Sequence, residues 1–331
     1  MKQVHSRLQD LGPQGGAPGT FLPIPLESLR LDTVTDFKIY VLTKKEKEPV
    51  LYRAENLQFT QSAKKRLQEH EVTHVFIEGN DQDKYKEYVE QNLDKIVRDD
   101  SIETREKAEI VYSSATFLMQ KLFDNPRAGK NIRRCEKLAL NTVEFVLRDD
   151  KAFENFLAVT SYDYYTYTHS VNVCIFSVAL AQDAGLCETS ELRVLGTGAL
   201  LHDIGKSLID KKIINKNGPL SSEEWKMIKK HPAHGVRILR ETGGVPEECY
   251  AVVSQHHERC DGSGYPAGLR GDEIHPYGRV SAIADVFDAM TTRRVYRDAV
   301  GTFTALQTMK SEMHDKLDQD MFLAFIRLLG R

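Results

Sequence analysis

Five of the eleven histidines in this 331-residue chain, His169, His202, His231, His256 and His257, lie in its second half with two aspartates, Asp203 and Asp285. Neutral imidazole and carboxylate are ligands that suit manganese, iron and zinc. The set contains no thiolate, which argues against a structural zinc site. His202 and Asp203 are adjacent, so on a helix their side chains diverge by about 100° and both can reach one cavity. A carboxylate has two oxygens and could bridge two metals. Two ions about 3.5–4 Å apart are a recurring device for cutting phosphodiesters. They make hydroxide available near neutral pH and offset the charge that builds on the attacking and leaving oxygens. Any one of these histidines alone reads as a hydrogen-bonded core or surface residue, and His234, three residues after His231, is read as a surface histidine. The ordered set is what points to a hydrolase.

That order is carried by short motifs. His169-Ser170-Val171-Asn172-Val173 is followed by His202-Asp203-Ile204-Gly205-Lys206 and then by His231-Pro232. His256-His257-Glu258 comes next with Asp261-Gly262-Ser263-Gly264-Tyr265-Pro266, and Ala284-Asp285-Val286-Phe287-Asp288-Ala289-Met290 closes the series. From roughly Lys137 to Ala324 this succession resembles the HD-GYP family, a subgroup of the HD phosphohydrolases whose members degrade cyclic di-GMP.

The resemblance implies metal ligands at His169, His202, Asp203, His231, His256, His257 and Asp285, with Asp203 as the bridge. It implies two divalent ions, Fe or Mn first among the candidates. It also implies a catalytic part for Asp203 and Lys206, and substrate contacts from Lys206, Gly264, Tyr265, Pro266 and Arg294, the last resembling the family's phosphate-binding arginine. Lys206 lies one helical turn after His202, so its ammonium can face a substrate phosphate. Glycines at 262 and 264 let backbone approach closely, Pro266 stiffens the turn, and Tyr265 offers a ring and a hydroxyl. Asp288 is one turn from Asp285 on the same helix face; it reads equally as a residue that orients a ligand histidine and as a polar contact in the core. Glu258 and Arg259 read as salt-bridge partners around the loop, and Asp261 as an acceptor of backbone hydrogen bonds. For Tyr162, Tyr164, Tyr165 and Tyr167, core packing explains the cluster at least as well as base stacking.

Three positions depart from the family pattern. Some members carry a carboxylate four residues before the first histidine, where it helps hold a third metal; here that residue is Tyr165, which favours two ions. Val295 replaces a proline, and Leu317-Asp318-Gln319 replaces Phe-Asp-Pro. The activity implied is metal-dependent hydrolysis of a cyclic dinucleotide, cyclic di-GMP to linear pGpG and/or GMP, in second-messenger signalling. The alternative is a weakly active or inactive receptor or adaptor that binds the cyclic dinucleotide or a partner such as a diguanylate cyclase. A third reading is an HD hydrolase of a different nucleotide.

What must position these residues is a mainly α-helical chain: a C-terminal all-helical HD-type bundle over 137–331, preceded by a small α+β accessory domain over 21–95 and connecting helices over 96–136. Residues 1–20, rich in glycine and proline, read as a flexible tail. Lys38 to Leu42 and Val50 to Tyr52 are apolar, β-branched runs separated by a polar stretch, which predicts a hairpin. Gln61 to His70 is predicted helical and His74 to Ile77 a further strand. The helical pattern from Ile96 to Leu122 reads as packed helix and linker, with a signalling helix that pairs two copies as the alternative. Ser221 and Glu224 form a predicted capping box, opening a helix from Trp225 to Lys230 that ends on His231, with Pro232 discouraging continuation.

The net charge of −3 gives no general electrostatic footing for a nucleic-acid polymer. No apolar run reaches the roughly 20 residues needed to span a bilayer, and no signal peptide is visible. The five cysteines form no CxxC pair and read as core residues in a reducing compartment. A cytoplasmic protein is expected.

Overall fold

The computed structural model describes residues 20–42, 49–160, 166–292 and 299–330. The chain divides into two compact units with the division between Ile110 and Val111. The expected tail falls, except for Thr20, outside the described residues, as do Tyr162, Tyr164, Tyr165, Arg294 and Val295.

The first unit carries six strands: β1 (Phe21–Pro25), β2 (Thr33–Thr35), β3 (Ile39–Val41), β4 (Val50–Arg53), β5 (Leu57–Phe59) and β6 (His74–Glu78). Four form a sheet in the order β1-β6-β3-β4, and β2 pairs with β5. The predicted hairpin is the antiparallel pair β3–β4, with Tyr40 opposite Leu51. β6 alternates, Val75 and Ile77 buried between more exposed neighbours, as a strand with one face on a core should. Helix α1 (Gln61–Glu69) starts where the Thr60 hydroxyl accepts from the Ala63 N–H. Two further helices, α2 (Gln82–Gln91) and α3 (Leu93–Val97), complete the unit before α4 (Thr104–Asp124), within which the division falls.

Among the described residues the second unit is helical. After α4 come α5 (Gly129–Arg148), α6 (Ala152–Val159), α7 (Thr166–Asp183), α8 (Thr189–Leu201), α9 (Lys211–Ile214), α10 (Ser222–Ile228), α11 (His231–Thr242), α12 (Cys249–Gln255), α13 (Pro276–Thr291), α14 (Thr302–Glu312) and α15 (Gln319–Leu329). α5 is amphipathic: Ile132, Cys135, Leu138, Ala139, Thr142 and Val143 recur at three- and four-residue spacing on its buried side. It also runs through position 137, where the expected catalytic domain begins.

α7 is different. Every residue from Thr168 to Ala181 is buried, so the helix is covered on all sides and forms the centre of the unit. α8 and α13 pack against it, with α12 against both of those. Close approach is secured at Gly196, where an added Cβ would sit 3.1 Å from Val178 and 3.5 Å from Cys174 on α7. Cys135, Cys174 and Cys249 are buried thiols in these helices. Among the described residues no helix is long and apolar enough to cross a membrane.

Candidate metal centre

The seven histidine and aspartate side chains converge from five elements. His169 lies in the first turn of α7, and Asp285 sits on α13. His202 and Asp203 come immediately after α8, His256 immediately after α12, and His231 is the first residue of α11. The expectation that His202 and Asp203 share a helix is corrected here: α8 stops at Leu201, and Asp203 caps a short 3-10 helix, Ile204–Leu208. That tight turn carries Gly205 onto the backbone of α11, so close that an added Cβ would lie 1.9 Å from the His231 carbonyl oxygen. The contact brings the His202-Asp203 segment to His231.

The segment before His231 also differs from expectation. The capping box is present, with the Ser221 side chain accepting from the Glu224 N–H and Glu224 accepting from the Ser221 N–H. The helix ends at Ile228, however, and Pro232 stands in the first turn of α11 rather than stopping a helix. Proline is at home there, because the first N–H groups of a helix have no intrahelical partner to lose.

Hydrogen bonds decide which imidazole nitrogen faces the cluster. His202 Nδ1 lies 2.7 Å from the Ala199 carbonyl, His231 Nδ1 2.8 Å from Ile228, and His256 Nδ1 3.0 Å from Val252. A carbonyl only accepts, so each Nδ1 carries the proton and each Nε2 presents a bare lone pair. His169 Nδ1 likewise donates to Asp288 Oδ2 at 2.6 Å. Asp288 Oδ1 in turn accepts from Asn172 Nδ2 (2.7 Å) and Thr292 Oγ1 (3.0 Å). Asn172 Oδ1 accepts from the Tyr112 hydroxyl at 3.0 Å. Of the two readings open for Asp288, its geometry is that of a residue orienting His169.

The inward-facing atoms fall into two groups around Asp203. Its Oδ2 lies 3.6 Å from His169 Nε2 and 3.4 Å from His202 Nε2, while Oδ1 lies 3.2 Å from His231 Nε2 and 4.0 Å from His256 Nε2. Asp285 repeats the division, with Oδ1 3.1 Å from His169 Nε2 and Oδ2 3.5 Å from His257 Nδ1. Potential donor atoms of His169, His202 and Asp285 lie within 4.8 Å of one another, as do those of His231, His256 and His257, and those of His202, Asp203 and His256.

Burial pushes His231 down to about 4, although Asp203 draws it up, and burial also holds His256 and His257 well below the usual imidazole value. Burial would raise Asp203, but the Lys206 ammonium beside it holds it well below the carboxylate range. Asp285 stays low for the same kind of reason, through His169 and His257. Near neutral pH His231, His256 and His257 are therefore neutral and face ionised carboxylates. His231 Nε2 and His256 Nε2 stand 3.1 Å apart with both their protons on Nδ1, lone pair toward lone pair. Buried Asp203 Oδ1 and His202 Nε2 have no hydrogen-bond partner. Buried acceptors left this way are costly unless a cation satisfies them. The donor set fits divalent metal.

Lys206 Nζ donates to Asp203 Oδ2 at 2.5 Å. Tyr265 stacks on the His257 ring, centroids 4.6 Å apart. Its loop is held by Glu258, almost fully buried, whose carboxylate accepts from the Ala267 and Leu269 N–H groups at 2.7 and 3.0 Å. Arg259 donates to the His256 and Glu258 carbonyls. Both residues were expected in salt bridges; the structure gives both to the backbone, because a loop without regular structure leaves its N–H and C=O groups needing partners. Asp261 accepts from the Ser263 N–H as expected. Gly264 admits no side chain, since a Cβ would lie 2.4 Å from the Arg259 nitrogen, and Pro266 follows in a cis peptide. His234 is partly buried on α11 and outside the three donor groups. Arg294 lies outside the described residues.

Sequence reasoning missed Asn172, one turn beyond His169 on the same face, a spacing that could have revealed it. It also missed the carbonyl partners. His202 and His256 directly follow a helix and His231 stands three residues beyond one, where the final carbonyls lack intrahelical partners, and each donates to a carbonyl three or four residues back.

Residues 165–321 match the family model described as HD domain. A cyclic di-GMP phosphodiesterase of Pseudomonas aeruginosa, PA4108, is 34% identical over 225 residues, covering 67% of this chain and 54% of that protein. The chain carries an HD domain. It is also similar to 3'3'-cGAMP-specific phosphodiesterase 3 of Vibrio cholerae, 35% identical over 167 residues, or 50% of this chain and 36% of that one. The chain thus spans about half the length of these relatives or less. Among solved structures, Bd1817, a HDG"Y"P protein from Bdellovibrio bacteriovorus, superposes with a TM-score of 0.64 at 23% identity, covering 94% of this chain and 100% of that one. At that identity the likeness concerns the fold.

Proposed function

We propose that the HD domain hydrolyses a phosphodiester bond of a cyclic dinucleotide, cyclic di-GMP first among them, to linear pGpG and, with a second cut, to GMP. The observation that carries this reading is the division of the inward-facing nitrogens between the two oxygens of Asp203. His169, His202 and Asp285 would hold one divalent ion and His231, His256 and His257 the other, with Asp203 shared; Fe and Mn are the first candidates. When bound, such a pair supplies a nucleophile near neutral pH and charge stabilisation at the phosphoryl oxygens.

The chain's own residues do the rest. Lys206, beside Asp203, places positive charge where negative charge grows on the phosphoryl group. Tyr265 walls the site with its ring fixed on His257, and Glu258 keeps the loop that carries it closed onto the backbone. The names of the relatives, cyclic di-GMP and 3'3'-cGAMP phosphodiesterases, support the substrate class.

The test is metal analysis and turnover on one anaerobically purified sample, with cyclic di-GMP and 3'3'-cGAMP assayed in parallel. We expect about two metals per chain and a linear product, and loss of both metals and turnover in Asp203→Ala. An Asp203→Ala protein with full metal content and activity would sink the proposal.

A further inference from the structure

Next to Tyr265 stand two residues to which no role has been given. Lys229 Nζ lies 5.1 Å from the centroid of the Tyr265 ring and 5.7 Å from that of Trp225. Trp225, the chain's single tryptophan, stands on α10 with 45% of its surface exposed. A track therefore leads outward from the metal centre: His257, Tyr265, a lysine ammonium, then an open indole face.

From this juxtaposition we infer that Trp225 and Lys229 form a nucleotide subsite, in which the indole stacks on a purine base while the ammonium pairs with a phosphate. The inference rests on the reading that the substrate is a cyclic dinucleotide, and it assigns the outer end of that substrate a place on α10. Physical chemistry favours this occupant. An indole presents a large π face that any purine can cover, and such stacking tolerates either base. Lys229 is an exposed point charge with three donors. It is held near two aromatic rings, so a phosphate drawn to it lies next to Tyr265. The helix that carries Trp225, with Lys229 as the residue that closes it, is fixed by its capping box and by Lys216, which donates to Glu224 at 2.6 Å. The subsite therefore sits on a rigid element, with Trp225 and Lys229 one turn apart on one face.

The single tryptophan makes the test direct. The full-length, metal-loaded protein is titrated with 5'-GMP, which has no diester to cut, while indole fluorescence is followed; ribose 5-phosphate serves as the control without a base. We expect saturable quenching by GMP and none by ribose 5-phosphate. Lys229→Ala should weaken the GMP response. Trp225→Ala should raise KM for cyclic di-GMP about tenfold or more, as loss of one base stack does, with kcat within about twofold, and Trp225→Phe should recover most of the loss. Indole emission indifferent to GMP, or an unchanged KM in Trp225→Ala, would overturn the subsite even in a protein that turns over cyclic di-GMP. Quenching by GMP in a protein that cleaves no cyclic dinucleotide would support the subsite and count against the hydrolase reading alone.

Discussion

Replacing Asp288 by asparagine should weaken one metal site and spare the other. Asp288 accepts from three donors: His169 Nδ1 at 2.6 Å, Asn172 Nδ2 at 2.7 Å and Thr292 Oγ1 at 3.0 Å. An asparagine has the same shape but must turn its N–H₂ toward at least one of them. Either two donors then face each other, or His169 moves its proton to Nε2, the atom turned toward Asp203 and Asp285. A hydrogen bond to a charged group contributes about 1.5–3 kcal/mol, which corresponds to roughly ten- to a hundredfold or more in affinity. The same range, about 10–100-fold, is usual when the partner of a ligating histidine is lost. His231, His256 and His257 do not rely on Asp288; their geometry is set by backbone carbonyls, Asp203 and Asp285. Competition titration of Mn(II) against a fluorescent chelator, under anaerobic conditions, should thus resolve one weakened and one nearly unchanged site in Asp288→Asn. Thermal melting of the metal-free protein serves as the control for folding. Two unchanged sites would refute the reasoning, and so would equal weakening of both with a collapsed melting temperature, since the effect would then be general to the fold.

Other outcomes follow from the same contacts. Because His231 is held down to about 4 by burial, and His256 and His257 also lie low, the metal-free protein should lose stability as pH falls from about 6.5 toward 4. In that window the unfolded chain takes up protons that the native site refuses, and His231 alone accounts for on the order of 3 kcal/mol; urea denaturation at pH 7.5 and 4.5 measures the difference, and equal midpoints would contradict it. Gly205→Ala should cost about 1–3 kcal/mol or more and lower metal content, because its Cβ would collide with the His231 carbonyl and the Gly235 nitrogen; a melting temperature and metal content equal to wild type would disprove the contact's role. Glu258→Gln keeps only one acceptor for the Ala267 and Leu269 N–H groups, so KM should rise by about tenfold for a loss near 1.4 kcal/mol with metal content intact, and loss of metal instead would show that the loop supports the ligands rather than the substrate.

Much of this protein is local chemistry that its sequence states openly. The apolar alternation of Val75 and Ile77 made β6 legible, and Ser221 with Glu224 marked the start of α10. The order of the histidine and aspartate motifs named the ligand candidates. Even the proton positions on His202, His231 and His256 were local in origin, since each imidazole meets a carbonyl at the end of the preceding helix or turn. His169 is oriented from farther away. In the first turn of α7 it depends on Asp288, 119 residues away, and that aspartate depends on Asn172 and Thr292. The two-sided division of ligands about Asp203 was equally beyond the sequence. It requires the close contact of Gly205 with α11, and spacing along a chain cannot say which oxygen of a carboxylate faces which of four imidazoles. Residue types thus determined what chemistry was available, while packing around the buried helix α7 decided which atoms face one another, because only close-packed helices hold side chains at separations fixed to a fraction of an ångström.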